Sequence, residues 1–203
     1  MSHPYMEDSV ITFKNRAEFR AWLAENYNKE TACWVPVERL QPDDDEHLYY
    51  IDAVEEALCF GWIDSIFKRI DGVCCSRFSP RRKGSPWTEL NKERVRRMES
   101  LGLMTDAGRK VLPAMGSRSF KPAEWLVELM KKHRVYAKFK TFPALYQRVR
   151  AYNLQLTKKR SDAEFDIAFK QFVSQTKQGK MYGNWNDYGR LSLYSLAQNP
   201  QIE

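Results

Sequence analysis

The sequence predicts an α+β protein: a small, mainly antiparallel sheet in the N-terminal half packed by helices, followed by a helical C-terminal half. Three observations carry this. Strand-like apolar runs cluster before residue 80, two of them flank Asp71-Gly72, and the apolar residues of the second half recur at helical spacing. One domain is expected over 1–203, with an α+β core at 11–120, a helical part at 121–180 and an irregular tail at 181–203.

Taken in order, Ile11 to Phe13 is a short strand-like run, and Asn15 then caps a helix whose Phe19, Trp22 and Leu23 share one face. Asn26 to Lys29 is turn material, Ala32 to Val37 a second strand with Pro36 at its edge, and 41–47 an acidic loop. Ile51, Val54, Ala57 and Leu58 fit a helix that stops at Gly61. Asp71-Gly72 is the strongest short signal for a two-residue hairpin turn, which pairs Ile70 with Val73, Lys68 with Cys75, Ile66 with Arg77 and Asp64 with Ser79. On that register Trp62, Asp64, Ile66 and Arg77 share one face, and Ile63, Phe67, Cys74 and Phe78 form the core face.

A basic, proline-punctuated loop from Ser79 to Pro86 leads into a helix over 87–101, with Ser85 as cap and Gly102 as stop. Thr105 caps the next helix, to about Met115. Helices over 121–134, 142–155 and 162–178 complete the chain, the last with a stripe of Phe165, Ala168, Phe169, Phe172 and Val173.

Composition bounds the function classes. At 43% hydrophobic and 13% aromatic residues, 203 residues bury one substantial core. No stretch approaches about 20 consecutive apolar residues, so no membrane insertion is expected, and Glu7 and Asp8 stand where a signal peptide would be basic and then apolar. The sequence therefore predicts a cytoplasmic protein. Cys33, Cys59, Cys74 and Cys75 lack C-x-x-C spacing and are expected as reduced, buried thiols. A net charge of +7 favours anionic partners, but its distribution is uneven. Lys131 to Arg160 holds ten Lys or Arg and no acid, whereas Asp43, Asp44, Asp45, Glu46, Asp52, Glu55 and Glu56 form an acidic run. Mutual attraction of these two regions inside the fold is the simplest reading of the pattern.

Reactive motifs are largely missing. His3, His47 and His133 stand far apart with no H-E-x-x-H and no zinc spacing, so neither metal nor cofactor is expected. There is no G-x-S-x-G elbow and no G-x-G-x-x-G turn, and 102–110 lacks the spacing and the Lys-Ser/Thr pair of a phosphate loop. Asp52 and Glu56 share a helix face with Glu55 beside them; they read as solvated carboxylates, with acid-base work by Glu56 as the alternative.

One constellation stands out. Glu56-Ala57-Leu58-Cys59-Phe60-Gly61-Trp62-Ile63-Asp64 runs through the hairpin to Arg77-Phe78-Ser79-Pro80-Arg81, then Ser85-Pro86-Trp87 and Asn91-Lys92, then Gly102-Leu103-Met104-Thr105-Asp106-Ala107-Gly108. These phrases, over roughly 11–115, resemble the YdeI/OmpD-associated family, whose members carry E-A-L-C-x-G-W-I-D, R-F-x-P-R-x-x-x-S-x-W-S-x-x-N-K-x-R and G-x-M-T-x-x-G in that order. The family's C-terminal Ala-Lys and Glu-Thr-Arg pattern has only a partial counterpart in Leu156-Thr157-Lys158-Lys159-Arg160. The resemblance implies tolerance of cationic antimicrobial peptides or bacteriocins and association with an outer-membrane porin. It implies no catalytic mechanism.

From the residues themselves, Trp62, Asp64 and Arg77 on one sheet face, with Arg81, Arg82, Trp87 and Asn91 nearby, make a ligand-binding patch for a small anion or carboxylate, or a contact for a protein partner. The competing reading is structural, with Asp64 and Arg77 satisfying each other under the indoles. Two further functions follow from other features. The basic 131–160 segment, interleaved with Tyr136, Phe139, Phe142, Tyr146 and Tyr152, would bind nucleic acid. An enzyme would use Asp64 or Glu56 as acid-base and Arg77 to anchor an anionic substrate.

Overall fold

The computed structural model describes residues 9–116 and 120–192; His3, Glu7, Asp8 and the 193–203 end of the expected irregular tail lie outside the described residues. The architecture is α+β, with a three-stranded antiparallel sheet in the N-terminal half and a helical C-terminal half. The chain divides into two compact units, Met1–Pro86 with Val95–Pro113, and Trp87–Arg94 with Ala114–Glu203.

In the first unit, Asn15 Oδ1 accepts the N–H groups of Ala17 and Glu18 at 3.1 and 3.2 Å and so starts α1 (Arg16–Asn26). Then come β1 (Cys33–Pro36), α2 (Tyr50–Cys59), β2 (Trp62–Ile70) and β3 (Val73–Pro80), with β3 central in the order β1-β3-β2. The strand expected at Ile11 to Phe13 is only a bridge: Val10 pairs with Trp34 in parallel, and Ile11 N–H donates to the Trp34 carbonyl at 2.8 Å.

The hairpin turn forms where the sequence places it. Asp71 and Gly72 have φ of 48° and 84°, the two left-handed residues that a twisted two-residue reversal requires, and Ile70 pairs with Val73 and Lys68 with Cys75. Past Phe67 the expected register fails. Phe67 faces Ser76 but Asp64 faces Phe78, so β2 spends one residue more than β3 across Ser65 and Ile66. Such a bulge turns every residue before it to the other face. Trp62 and Asp64 therefore share a face with Phe78 and lie opposite Arg77, not beside it.

That face is the one the helices cover. Phe78 is fully buried with its ring 5.3 Å from Phe19, and Trp62 is buried with its rings 5.8 Å from Trp22 and its Nε1–H donating to the Tyr27 carbonyl at 3.0 Å. The expected core set is corrected accordingly: Phe78 belongs to it, whereas Ile63 and Cys74 are half-buried and Phe67 is 41% exposed.

The helix α3 (Glu89–Ser100) begins later than expected, because Thr88 caps it in place of Ser85, taking the Asn91 N–H on its Oγ1 at 3.0 Å. Gly102, at φ 69°, ends it, and Leu103 N–H reaches back to the Met98 carbonyl at 2.9 Å. Thr105 caps α4 (Asp106–Lys110) as anticipated, but the helix stops short of Met115. Pro113 explains this, since the residue before a proline is driven out of the helical region.

The second unit holds α5 (Glu124–Lys132), α6 (Tyr136–Phe139), α7 (Ala144–Arg160) and α8 (Asp162–Lys177). Ser161 ends α7 and caps α8, its Oγ accepting Glu164 N–H at 3.2 Å. Leu126, Met130, Phe139, Tyr146, Phe165, Phe169 and Phe172 fill the core between them. Arg94, on the part of α3 that belongs to this unit, closes its fork on Asp187 at 2.7 and 2.8 Å, holding a turn in which Asp187, Tyr188 and Gly189 all have positive φ.

Candidate functional site

Trp62 and Asp64 do not share the face of Arg77 that the expected anion patch requires. Asp64 accepts the Tyr50 hydroxyl at 2.6 Å on the helix-covered face, and Arg77 sits on the other side of the sheet because of the bulge. Arg81 is buried with Nη2 donating to the Pro86 carbonyl at 2.7 Å and to Ser85 Oγ at 3.3 Å, so its fork staples the loop that carries it. Arg82 is exposed. Trp87 is buried in the second unit, and there Asn91 Oδ1 accepts from Arg94 at 2.8 Å.

Two of the α2 carboxylates, Glu55 and Glu56, are not solvated, which corrects the reading of that acidic run. Glu55 and Glu56 are buried and matched by three arginines of the first unit. Glu56 Oε1 takes Arg16 Nε at 2.9 Å, its Oε2 takes Arg20 at 2.6 Å, and Arg97 Nη1 reaches both Glu55 oxygens at 2.7 and 2.8 Å. Asp52 completes the set through Arg16 at 3.1 Å. The counter-charges thus come from α1 and α3, not from the basic 131–160 segment. Both oxygens of Glu56 are thus engaged by guanidinium groups. Beside it, burial and the Glu56 charge push the Cys59 thiol up to about 12, so this cysteine stays protonated and unreactive at neutral pH.

The interleaving of basic and aromatic residues over 131–160 also has a packing explanation. Phe139 and Tyr146 are core residues, Tyr152 meets Phe120 with ring centroids 5.9 Å apart, and Arg148 pairs with Glu93 at 2.9 Å. Phe139 and Tyr146 are buried by this packing and so withheld from base stacking.

What sequence reasoning did not find is a cleft of about 410 Å³ at the hairpin end of the first unit, within the size range of small-ligand sites. Its floor is the sheet itself. Pro36 pairs with Cys75 and Ile70 with Val73, and all four alternate to the side opposite Phe78. Thr12 and Phe13 line it from the segment before α1, and Leu48 from just after the acidic loop. Glu38, Glu46 and Asp71 supply carboxylates, and among the described residues that line it there is no Lys or Arg. His47 completes the lining, its Nδ1 lying 2.9 and 3.0 Å from the two Asp44 oxygens. That hydrogen bond, and then the Asp44 charge, raise the imidazole above its ordinary range, while the same bond lowers Asp44. Lys14 Nζ pairs with Glu46 at 2.8 Å. Cys74 and Cys75 also line the cleft; burial, then Cys74, pushes the Cys75 thiol up.

An apolar floor under carboxylates suits an aliphatic stem carrying a cationic head, the opposite charge preference from the one expected. Among the described residues no group of three or more His, Cys, Asp or Glu is placed to hold a metal ion, and no helix is long and apolar enough to cross a membrane.

Residues 11–111 match the model of a family described as Domain of unknown function (DUF8412). No curated protein and no solved structure matches the chain. The matched stretch contains the α2 charge cluster and every residue that lines the cleft except Val10. The only sequence sign of the cleft is the acidic loop around Glu46, whose apolar partners are scattered over three other segments.

Proposed function

We propose that this protein is a non-catalytic binding protein whose cleft takes a small, partly apolar, cationic ligand or the cationic side chains of a peptide partner. The observation that carries this reading is the lining: three carboxylates over Pro36, Ile70 and Val73, with neither Lys nor Arg among its described residues, on a chain whose net charge is +7. Local charge, not the sum, sets what a cleft attracts. The YdeI/OmpD-like phrases support a setting in tolerance of cationic antimicrobial peptides or bacteriocins, because such peptides combine the two chemistries that the cleft complements. Cys59, Cys74 and Cys75 as thiols support a reducing, cytoplasmic location.

Calorimetric titration with a short peptide of alternating Leu and Lys, acetylated and amidated at its ends, tests the reading against its Leu/Glu counterpart. The lysine peptide should bind and the glutamate peptide should not, and Glu38→Gln with Asp71→Asn should weaken binding by about fivefold for each charge removed. Equal affinity for both peptides, or an affinity untouched by the double substitution, would refute it.

A further inference from the structure

The cleft carries one group that ordinarily titrates near neutral pH. His47 faces Asp44 and Glu46 of its own loop and Glu38 from beyond β1; Glu46 is in turn held by Lys14 from ahead of α1, and Asp71, Cys74 and Cys75 line the hairpin side. Carboxyl, thiol and ammonium groups ordinarily titrate outside the range of about pH 6 to 8, whereas imidazole titrates within it.

We propose that His47 makes ligand capture pH-dependent, protonation of its ring weakening the hold of the cleft on a cationic ligand. This rests on the cationic-ligand reading and concerns the regulation of that same site. The physical reason is charge placement: an imidazolium adds positive charge to a lining that holds Glu38, Glu46 and Asp71, and it draws Asp44 into a full ion pair. Asp44 also raises the pH at which this happens, by its hydrogen bond first and its charge second. Capture is therefore strongest at mildly alkaline pH and relaxes in mild acid. One unit charge near contact distance in a solvated site changes affinity by roughly fivefold.

The test is calorimetric titration of the full chain with the end-blocked Leu/Lys peptide at about pH 8, 7 and 6 and constant ionic strength, since its lysines stay charged throughout. Affinity should fall roughly fivefold from the highest to the lowest pH, the slope should vanish in His47→Gln, and Asp44→Asn should move the midpoint to lower pH. Equal affinity at the three pH values, or a slope that survives in His47→Gln, overturns the proposal and leaves the cleft as a cation site. A failure of the peptide to bind at any pH overturns both.

Discussion

At the scale of single residues, Gly108 has the least room for a side chain among the described glycines of the first unit, against the C-terminus of α2. A Cβ at Gly108 would lie 2.2 Å from the Cys59 carbonyl oxygen and 2.7 Å from its carbon, and backbone cannot give way as a side chain would. Gly108→Ala should therefore cost on the order of 3 kcal/mol or more in urea denaturation. Gly72→Ala, where nothing lies within 4 Å but φ is 84°, should cost only about 1 kcal/mol. Cys59 adds a pH signature. Its thiol is raised from 9.0 to about 12, so the native state is fully favoured below the lower value and that stability is lost as pH climbs towards the upper one. Between those values the wild type should lose roughly 1.4 kcal/mol per pH unit more than Cys59→Ala, read from denaturation midpoints. Sequence placed Cys59 in one phrase and Thr105 and Gly108 in another. That the Thr105 hydroxyl donates to the Cys59 carbonyl at 2.6 Å, across 46 positions, is a tertiary fact with no local signature.

At the scale of elements, the hairpin divides into a half that sequence specifies and a half that it does not. Asp71-Gly72 fixes the turn and the first rungs through backbone conformation alone, which is why those pairings are as expected. The bulge leaves no such mark, since 62–70 contains neither Gly nor Pro. Deleting Ser65 would remove the extra residue and let Ile66 face Arg77, while Asp64 stays opposite Phe78 and Trp62 keeps its buried face. The expected result is a retained fold with an unshifted tryptophan emission, checked by denaturation followed by fluorescence; a red shift would show that the register before the bulge had slipped. The α2 carboxylates teach the same lesson about distance. Glu55 and Glu56 read as surface residues because their partners stand 36 to 42 positions away, on α1 and α3. Glu56→Ala should cost roughly 2–3 kcal/mol, less than a fully buried pair, because Arg16 and Arg20 keep 33% and 31% of their side chains in water.

At the scale of the whole molecule, sequence boundaries and spatial ones do not coincide. Hydrophobic patterning predicts the α+β class and the helical second half because both rest on periodicities local to each segment. The assignment of 87–94 to the second unit, while the rest of α3 belongs to the first, rests on packing that no periodicity records. A fragment ending at Pro113 should keep dispersed amide resonances for 95–100 and lose them for 89–94, as a heteronuclear NMR spectrum would show. The 11–111 stretch that matches the family is likewise not a cassette. Arg94 lies inside it, and its fork is spent on Asp187, 93 positions downstream. A recombination seam placed at the end of the matched stretch would strand a guanidinium on one parent and a buried carboxylate on the other. Any exchange of tails between relatives must therefore inherit both halves of that clasp together, or neither.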